Sequence, residues 1–154
     1  MIYFAYGSNL NPAQMAERCP GHRSVGTARL PNHRLCFPRY SRTWQCASAS
    51  ITPSPGDVVF GALYEVPADE IPVLHYQEGY DAHGPAEFNR HDFRPITVLR
   101  MGGSEPVAAM TYVAVPDGTA ALPSAAYLNA VIDGARYHAL PRAYLVVLRA
   151  VKTA

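Results

Sequence analysis

The sequence that decides the fold is YFAYGSNL, residues 3–10, followed at once by Asn11 and Pro12. It begins within a β-branched and aromatic run, Ile2 to Tyr6, which predicts a strand. Gly-Ser-Asn then breaks the strand, and Asn before Pro is typical of a helix N-cap and first helical position. The chain therefore opens with a strand, a tight corner and a short helix.

Further along the chain, strands come first and helices mostly late. Three strands are predicted at 29–37, 46–52 and 58–66, with a proline-rich turn at 53–57 before the third. They are followed by a helix at about 69–77 stopped by Gly79, a hairpin of 96–101 with 107–115, a helix capped by Ser124 and a last helix at 141–148. This order favours an α+β fold with a mainly antiparallel sheet or barrel, and the length suits one small domain over residues 1–154.

Composition excludes several classes of protein. The 154 residues carry 13 Lys and Arg against 12 Asp and Glu, and 49% are hydrophobic. Neither disorder nor a broad nucleic-acid or membrane-surface footprint fits these values. The three cysteines, Cys19, Cys36 and Cys46, form no CxxC, which argues against a disulfide framework or a thiolate zinc site. We therefore expect a cytoplasmic protein without a membrane segment.

The corner at residues 7–9 is the first candidate site. Backbone N–H groups in a Gly-Ser-Asn corner before a helix can turn toward one point and bind an anion such as a carboxylate. Taken alone, the pattern is more typical of an ordinary strand–turn–helix corner.

Glu78 is the second candidate, in Tyr76-Gln77-Glu78-Gly79-Tyr80. The negative end of the helix and the two flanking tyrosines would make this carboxylate a better base near neutral pH. Without a partner motif, a surface glutamate at a helix end is the commoner reading.

The remaining candidates are weaker. The segment from Asp81 to Asp92 also contains His83, Glu87 and His91, but its spacing matches no known metal motif, and we expect no metal. Tyr112 and Tyr127 could each line a pocket or equally serve as core aromatics. No nucleophile motif is present.

Taken together, these motifs resemble the gamma-glutamylcyclotransferase family. The resemblance covers nearly the whole chain and rests on residues 3–10, Ala28-Arg29-Leu30, Thr43-Trp44, Pro55-Gly56-Asp57 with Gly61, Gln77-Glu78-Gly79, Pro123-Ser124, Tyr127 and Leu140-Pro141. It implies a small α+β domain with a mixed, barrel-like sheet, an enzyme without cofactor or metal, and a role in glutathione metabolism. Such enzymes cyclise a γ-glutamyl group to 5-oxoproline and release an amine.

The resemblance also assigns roles to residues. Glu78 matches the catalytic acid/base, and the corner at Tyr6, Gly7, Ser8 and Asn9 matches the loop that holds the substrate's α-carboxylate. The strand residues Tyr3, Phe4 and Ala5, together with Tyr112 and Tyr127, complete the implied substrate-binding set. The nucleophile is the substrate's own α-amine, so one carboxylate suffices to accept its proton and return it to the leaving nitrogen.

One departure from the family concerns the leaving group. The segment of residues 80–92 directly follows Glu78 and is longer than in better-known members. It therefore leaves open a γ-glutamyl amino acid, a γ-glutamylamine or a γ-glutamylated biosynthetic intermediate as substrate. A non-catalytic binding module on the same fold is the alternative of a different class. The sequence also leaves the oligomeric state open, with a homodimer as one option.

Overall fold

The computed structural model describes residues 1–154 and contains five strands and four helices. The strands are β1 (Ile2–Ala5), β2 (Arg23–Ser41), β3 (Cys46–Glu65), β4 (His91–Arg100) and β5 (Pro106–Ala114). The helices are α1 (Pro12–Arg18), α2 (Ile71–Glu78), α3 (Ala125–Tyr137) and α4 (Arg142–Arg149). None of these helices has the length and apolar content needed to cross a membrane.

The strands close into a barrel in the order β1–β3–β2–β4–β5. All neighbours are antiparallel except β1 and β5, which pair in parallel through Tyr3 and Met110. The hydroxyl of Thr111 on β5 donates to the carbonyl of Phe4 at 2.8 Å and reinforces this closure. The α+β prediction and the mixed barrel-like sheet are confirmed.

The predicted turn at residues 53–57 is wrong, because β3 runs unbroken through it. Pro31 of β2 pairs with Val58 of β3, and His33, two residues further along β2, pairs with Pro53. The four β3 residues 54–57 therefore lie opposite the single β2 residue Asn32. Such a bulge tolerates proline because its residues make no regular ladder bonds. Gly56 supplies the positive φ that this bulge needs, and its N–H donates to the Asn32 side chain at 3.0 Å.

The helix ends follow the sequence signals. The side chain of Asn11 accepts from the N–H groups of Ala13 and Gln14, at 3.1 and 3.3 Å, and begins α1. Ser124 Oγ likewise accepts from a backbone N–H at the start of α3. Gly79 ends α2 with a φ of 65°, a left-handed conformation that glycine adopts without strain.

Helix α3 packs directly on the corner that follows β1. A Cβ atom built on Gly134 would overlap the backbone of Leu10 and Asn11, so the glycine permits this close approach. The hydroxyl of Tyr64 on β3 donates to the carbonyl of Asn9 at 2.9 Å from another side. The corner is therefore fixed between the barrel and α3.

Candidate active site

A cavity opens beside the corner and encloses about 730 Å³ of empty space, including its mouth. It brings together eight of the ten residues that the sequence singled out: Glu78, Tyr3, Tyr6, Gly7, Ser8, Asn9, Tyr112 and Tyr127. Glu78 is the only acidic residue in its lining.

Phe4 and Ala5 lie elsewhere. Both are fully buried and absent from the cavity lining. They pack tightly against Gly61 of β3, where a Cβ atom would overlap the Phe4 ring and the Ala5 carbonyl. Because side chains alternate along a strand, Tyr3 and Phe4 of β1 point to opposite faces.

The carboxylate of Glu78 has one oxygen held and one oxygen free. Its Oε1 accepts from Asn9 Nδ2 at 3.0 Å and from Arg18 Nη1 at 3.3 Å. Its Oε2 accepts no hydrogen bond and lies 3.8 Å from His91 Nδ1. The side chain is only 15% exposed at the end of α2. The two donors orient the group and leave Oε2 available for proton transfer.

Asn9 is the centre of the polar network. Its Nδ2 also donates to the hydroxyl of Tyr3 at 3.0 Å, and its Oδ1 accepts from Gln14 and Arg18, each at 2.9 Å. These four bonds use the two donor hydrogens and the acceptor sites of the amide. The asparagine therefore has one fixed orientation and links the corner after β1 to Glu78 on α2.

Four tyrosine hydroxyls surround the cavity. Burial raises the pKa of Tyr3, Tyr6, Tyr112 and Tyr127 above that of an ordinary phenol, and the nearby charge of Glu78 adds to the shift. The four phenols are therefore neutral hydrogen-bonding groups.

Two of these hydroxyls are anchored on neighbouring elements. The Tyr112 hydroxyl lies 2.6 Å from His75 Nδ1, and the Tyr6 hydroxyl donates to the Tyr112 carbonyl. Burial lowers the pKa of His75, which favours a neutral ring that can accept from the phenol. The contacts fix Tyr112 between α2 and β5.

Tyr127 borders the corner. Its hydroxyl accepts from the Ala49 N–H at 2.8 Å, and its ring meets the edge of Trp44 at a centroid distance of 5.3 Å. A Cβ atom on Gly7 would lie 3.3 Å from this hydroxyl, so the absence of a side chain keeps the approach open. The backbone N–H of Gly7 finds no acceptor in the protein. It is a free donor beside the cavity.

The aromatic surroundings of Glu78 differ from the sequence expectation. Tyr76 is 79% exposed, and Tyr80 packs on His75 and Phe93. The aromatic groups near the carboxylate come instead from β1, β5, α3 and the corner. Sequence neighbours on a helix point in different directions, whereas barrel closure brings distant tyrosines together.

Sequence reasoning missed Gln14 and Arg18. They lie four residues apart on α1, and therefore on one helix face. Gln14 donates to Ser8 Oγ at 2.8 Å, and both residues donate to Asn9. This spacing, directly after the corner, was the signal that could have found them. Three more arginines, Arg39, Arg42 and Arg90, also line the cavity.

The segment after Glu78 forms a loop closed at its base. Arg90 N–H donates to the Gly79 carbonyl at 2.8 Å, and the Arg90 carbonyl accepts from Val115 N–H at 3.0 Å. Within the loop, Asp81 N–H donates to Asn89 Oδ1 at 2.9 Å. A second cavity lies against this loop, and Arg90 lines both cavities.

The histidines and acids of this segment do not converge on one point. No group of three or more His, Cys, Asp or Glu side chains in the structure could hold a metal ion. His91 Nδ1 lies 2.7 Å from the Glu78 carbonyl, whereas Asp81 accepts from the N–H of His83 at 2.9 Å. His91 therefore supports the end of α2, and Asp81 shapes the loop.

A closed small barrel thus carries a tyrosine-lined cavity with one oriented carboxylate. The family model described as the AIG2-like family matches residues 58–148. Human gamma-glutamylcyclotransferase is 29% identical over 155 residues, covering 98% of this chain and 78% of that protein, and the bovine protein is 31% identical over 161 residues with the same coverage.

A solved structure of a gamma-glutamyl cyclotransferase superposes with a TM-score of 0.88 at 27% identity, over 99% of this chain and 88% of that one. The chain therefore belongs to the AIG2-like family of gamma-glutamylcyclotransferase enzymes, as the sequence resemblance implied.

Proposed function

We propose that the protein cyclises γ-glutamyl amino acids to 5-oxoproline and releases the free amino acid, with Glu78 as the general acid/base. The observation that carries the proposal is the geometry of Glu78, the only acid in the cavity, with Oε1 held by Asn9 and Arg18 and Oε2 unbonded. Cyclisation needs a base that takes a proton from the α-ammonium, whereas a pure binding module does not.

The reaction needs one proton carrier. The substrate's α-ammonium loses a proton to Glu78 Oε2, and the resulting amine attacks the γ-carbonyl carbon. The new C–N bond closes the five-membered ring. The bond to the leaving nitrogen breaks as Glu78 returns the proton to that nitrogen. The ring nitrogen then gives its remaining extra proton to Glu78, which passes it to the released amine, so the enzyme ends in its starting state. The cavity's remaining task is to hold the glutamyl chain folded for attack.

We assign the substrate contacts to the corner and the tyrosines. The free Gly7 N–H beside the cavity supports binding of the α-carboxylate at the corner, together with Ser8. The neutral hydroxyls of Tyr3, Tyr112 and Tyr127 supply further hydrogen bonds along the glutamyl chain and to the developing oxyanion. Phe4 and Ala5 act by packing the barrel rather than by contact with substrate.

The charge of the cavity favours an amino acid as leaving group over an amine. Four arginines line it against one glutamate, and only Arg18 is paired with an acid there. At neutral pH a γ-glutamyl amino acid carries two carboxylates and one ammonium, whereas a γ-glutamylamine carries one of each. The excess positive charge therefore stabilises the substrate that has the additional carboxylate. We place this reaction in the cytoplasm, on the cysteine pattern.

The test is 5-oxoproline release, measured by mass spectrometry on a panel of γ-glutamyl amino acids and γ-glutamylamines. We expect release from the amino acid series by the wild-type protein and its loss in Glu78→Gln, which keeps the shape of the side chain. Glu87→Gln, an exposed glutamate in the neighbouring loop, is the matched control and should retain wild-type activity.

Three outcomes would contradict the proposal. Full activity in Glu78→Gln would exclude Glu78 as the base. Ligand-induced thermal stabilisation of the wild type without turnover of any substrate would favour the binding module. Preferential turnover of γ-glutamylamines would support the amine-specific alternative.

A further inference from the structure

We infer that Arg90 is a specificity-determining residue that binds the carboxylate of the leaving amino acid. The inference rests on the proposed function and deepens it, since the charge of the cavity as a whole does not say which arginine selects the leaving group. Four observations on Arg90 and its neighbours single it out.

The first observation is the position of its guanidinium group. A Cβ atom built on Gly79 would overlap Nε of Arg90 and lie 2.8 Å from Cζ and 2.9 Å from Nη2. The guanidinium therefore lies against Gly79, the residue that directly follows Glu78, in space that a side chain at position 79 would share.

The second observation is that its backbone is fixed while its charged group is free. Both backbone groups of Arg90 are hydrogen-bonded, to the Gly79 carbonyl and the Val115 N–H. Its side chain makes no hydrogen bond, and no acidic side chain lies within 4.0 Å of it. The anchored backbone directs an unpartnered guanidinium to this place beside Glu78.

The third observation is its place between the two cavities. Arg90 is the only residue common to both linings. A leaving group that extends from the main cavity along the loop of residues 80–89 therefore passes the guanidinium.

The fourth observation compares Arg90 with the other three arginines. Arg18 is engaged by Glu78 and Asn9. The guanidinium of Arg39 is held through Nη1 by the Val115 carbonyl at 2.7 Å, and only its buried Nε has no partner. Arg42 lies in the β2–β3 turn and has no side-chain hydrogen bond that positions it, whereas Arg90, which is exposed as well, has both backbone groups hydrogen-bonded. Arg90 alone combines a fixed backbone, a free guanidinium and proximity to the proposed base.

The chemistry of the leaving group explains the requirement for a guanidinium here. The leaving nitrogen must approach Glu78 to receive its proton. In an α-amino acid the carboxylate carbon lies about 2.5 Å from that nitrogen, two bonds away. A carboxylate so close to the reacting nitrogen lies in the cavity that Glu78 and Arg90 both line, and a guanidinium fork can bind it through two parallel hydrogen bonds. An amine leaving group presents nothing for the fork to bind.

The test compares two substrates that differ only in this carboxylate, γ-glutamyl-L-alanine and γ-glutamylethylamine. In Arg90→Gln we expect the ratio of their kcat/KM values to fall at least tenfold, mainly through a higher KM for the alanine compound. Arg90→Lys, which keeps the charge but loses the fork, should give a smaller fall. Arg94→Gln, which removes an exposed arginine paired with Asp92, is the matched control and should keep the wild-type ratio.

The outcomes distinguish a failure of the role assigned to Arg90 from a failure of the proposed function. A ratio in Arg90→Gln equal to that of the wild type, in a folded variant that still releases 5-oxoproline, would overturn the role of Arg90 and leave the proposed function intact. No 5-oxoproline from either substrate with the wild-type protein would overturn both.

Discussion

Asn9→Asp is the substitution that most directly tests how the site controls the proposed base, Glu78. The change is nearly isosteric and keeps the acceptor oxygen that Gln14 and Arg18 bind at 2.9 Å. It replaces the amide donor, 3.0 Å from Glu78 Oε1, with a second carboxylate oxygen. The two acids then compete for one proton, because like charges at this separation do not both ionise freely.

The magnitude follows from the distance. Two unit charges roughly 4 Å apart repel by about 4 kcal/mol at an effective dielectric constant of 20. That energy corresponds to about a thousandfold change in proton affinity. Arg18 lies within hydrogen-bonding distance of both side chains and offsets part of the repulsion. We therefore expect the acid limb of the kcat/KM profile to move up by about one to three pH units.

The assay is 5-oxoproline release between pH 5 and 10 for wild type, Asn9→Asp and Asn9→Ala. Asn9→Ala removes the same hydrogen bonds without adding a charge, so it should lose activity and stability at all pH values with little movement of the limb. If the profile of Asn9→Asp overlays that of the wild type, Asn9 does not control the base and the reasoning is refuted.

Two further predictions concern stability. Gly134→Ala should lower the free energy of unfolding by about 1–3 kcal/mol in chemical denaturation, because the new methyl group overlaps the backbone of Leu10. Within a helix this substitution usually raises the free energy of unfolding by about 1 kcal/mol, and such a gain here would contradict the close packing. Burial lowers the pKa of His75 and His138, so the unfolded chain binds protons that the native state does not as pH falls below about 6.5. The melting temperature should fall as the pH is lowered below that value, and it should fall less steeply in His138→Gln than in the wild type. Equal slopes of melting temperature against pH in the two proteins would exclude a contribution of His138 to this pH dependence.

Local sequence signals predicted most of the elements but not how they join. Asn11, Ser124 and Gly79 mark helix ends through their own backbone chemistry, which a sequence displays directly. The Pro-Ser-Pro-Gly-Asp stretch at 53–57 shows the limit of such signals. It has the composition of a turn, yet pairing of β3 with β2 on both sides of it carries the strand through as a bulge.

The residues of the site likewise divide into those that a local sequence motif reveals and those that only the folded chain brings together. Glu78 and the corner were recognisable because each belongs to a short continuous motif. Arg18 and Arg90 were not, because their contacts appear only in the folded chain. Arg18 of α1 meets Glu78 of α2, 60 positions away, and Arg90 meets Gly79 across the closed base of the loop. Phe4 and Ala5 belong to the same continuous motif but lie outside the cavity. Phe4 points to the opposite face of β1 from Tyr3, because strand side chains alternate, and Ala5 is fully buried.

The closed base of the loop after Glu78 bears on how such a protein can diversify. The hydrogen bond from Arg90 to Gly79 joins the two ends of the loop, so the residues between them can change in number without moving either end. Lengthening such a loop has a low entropic cost, about 0.6 kcal/mol for each doubling. Insertions and deletions in this loop would reshape the second cavity and leave Glu78 and the corner in place. The fold thus allows the loop to change in length, and the range of substrates with it, without a change in the residues proposed for the chemical step.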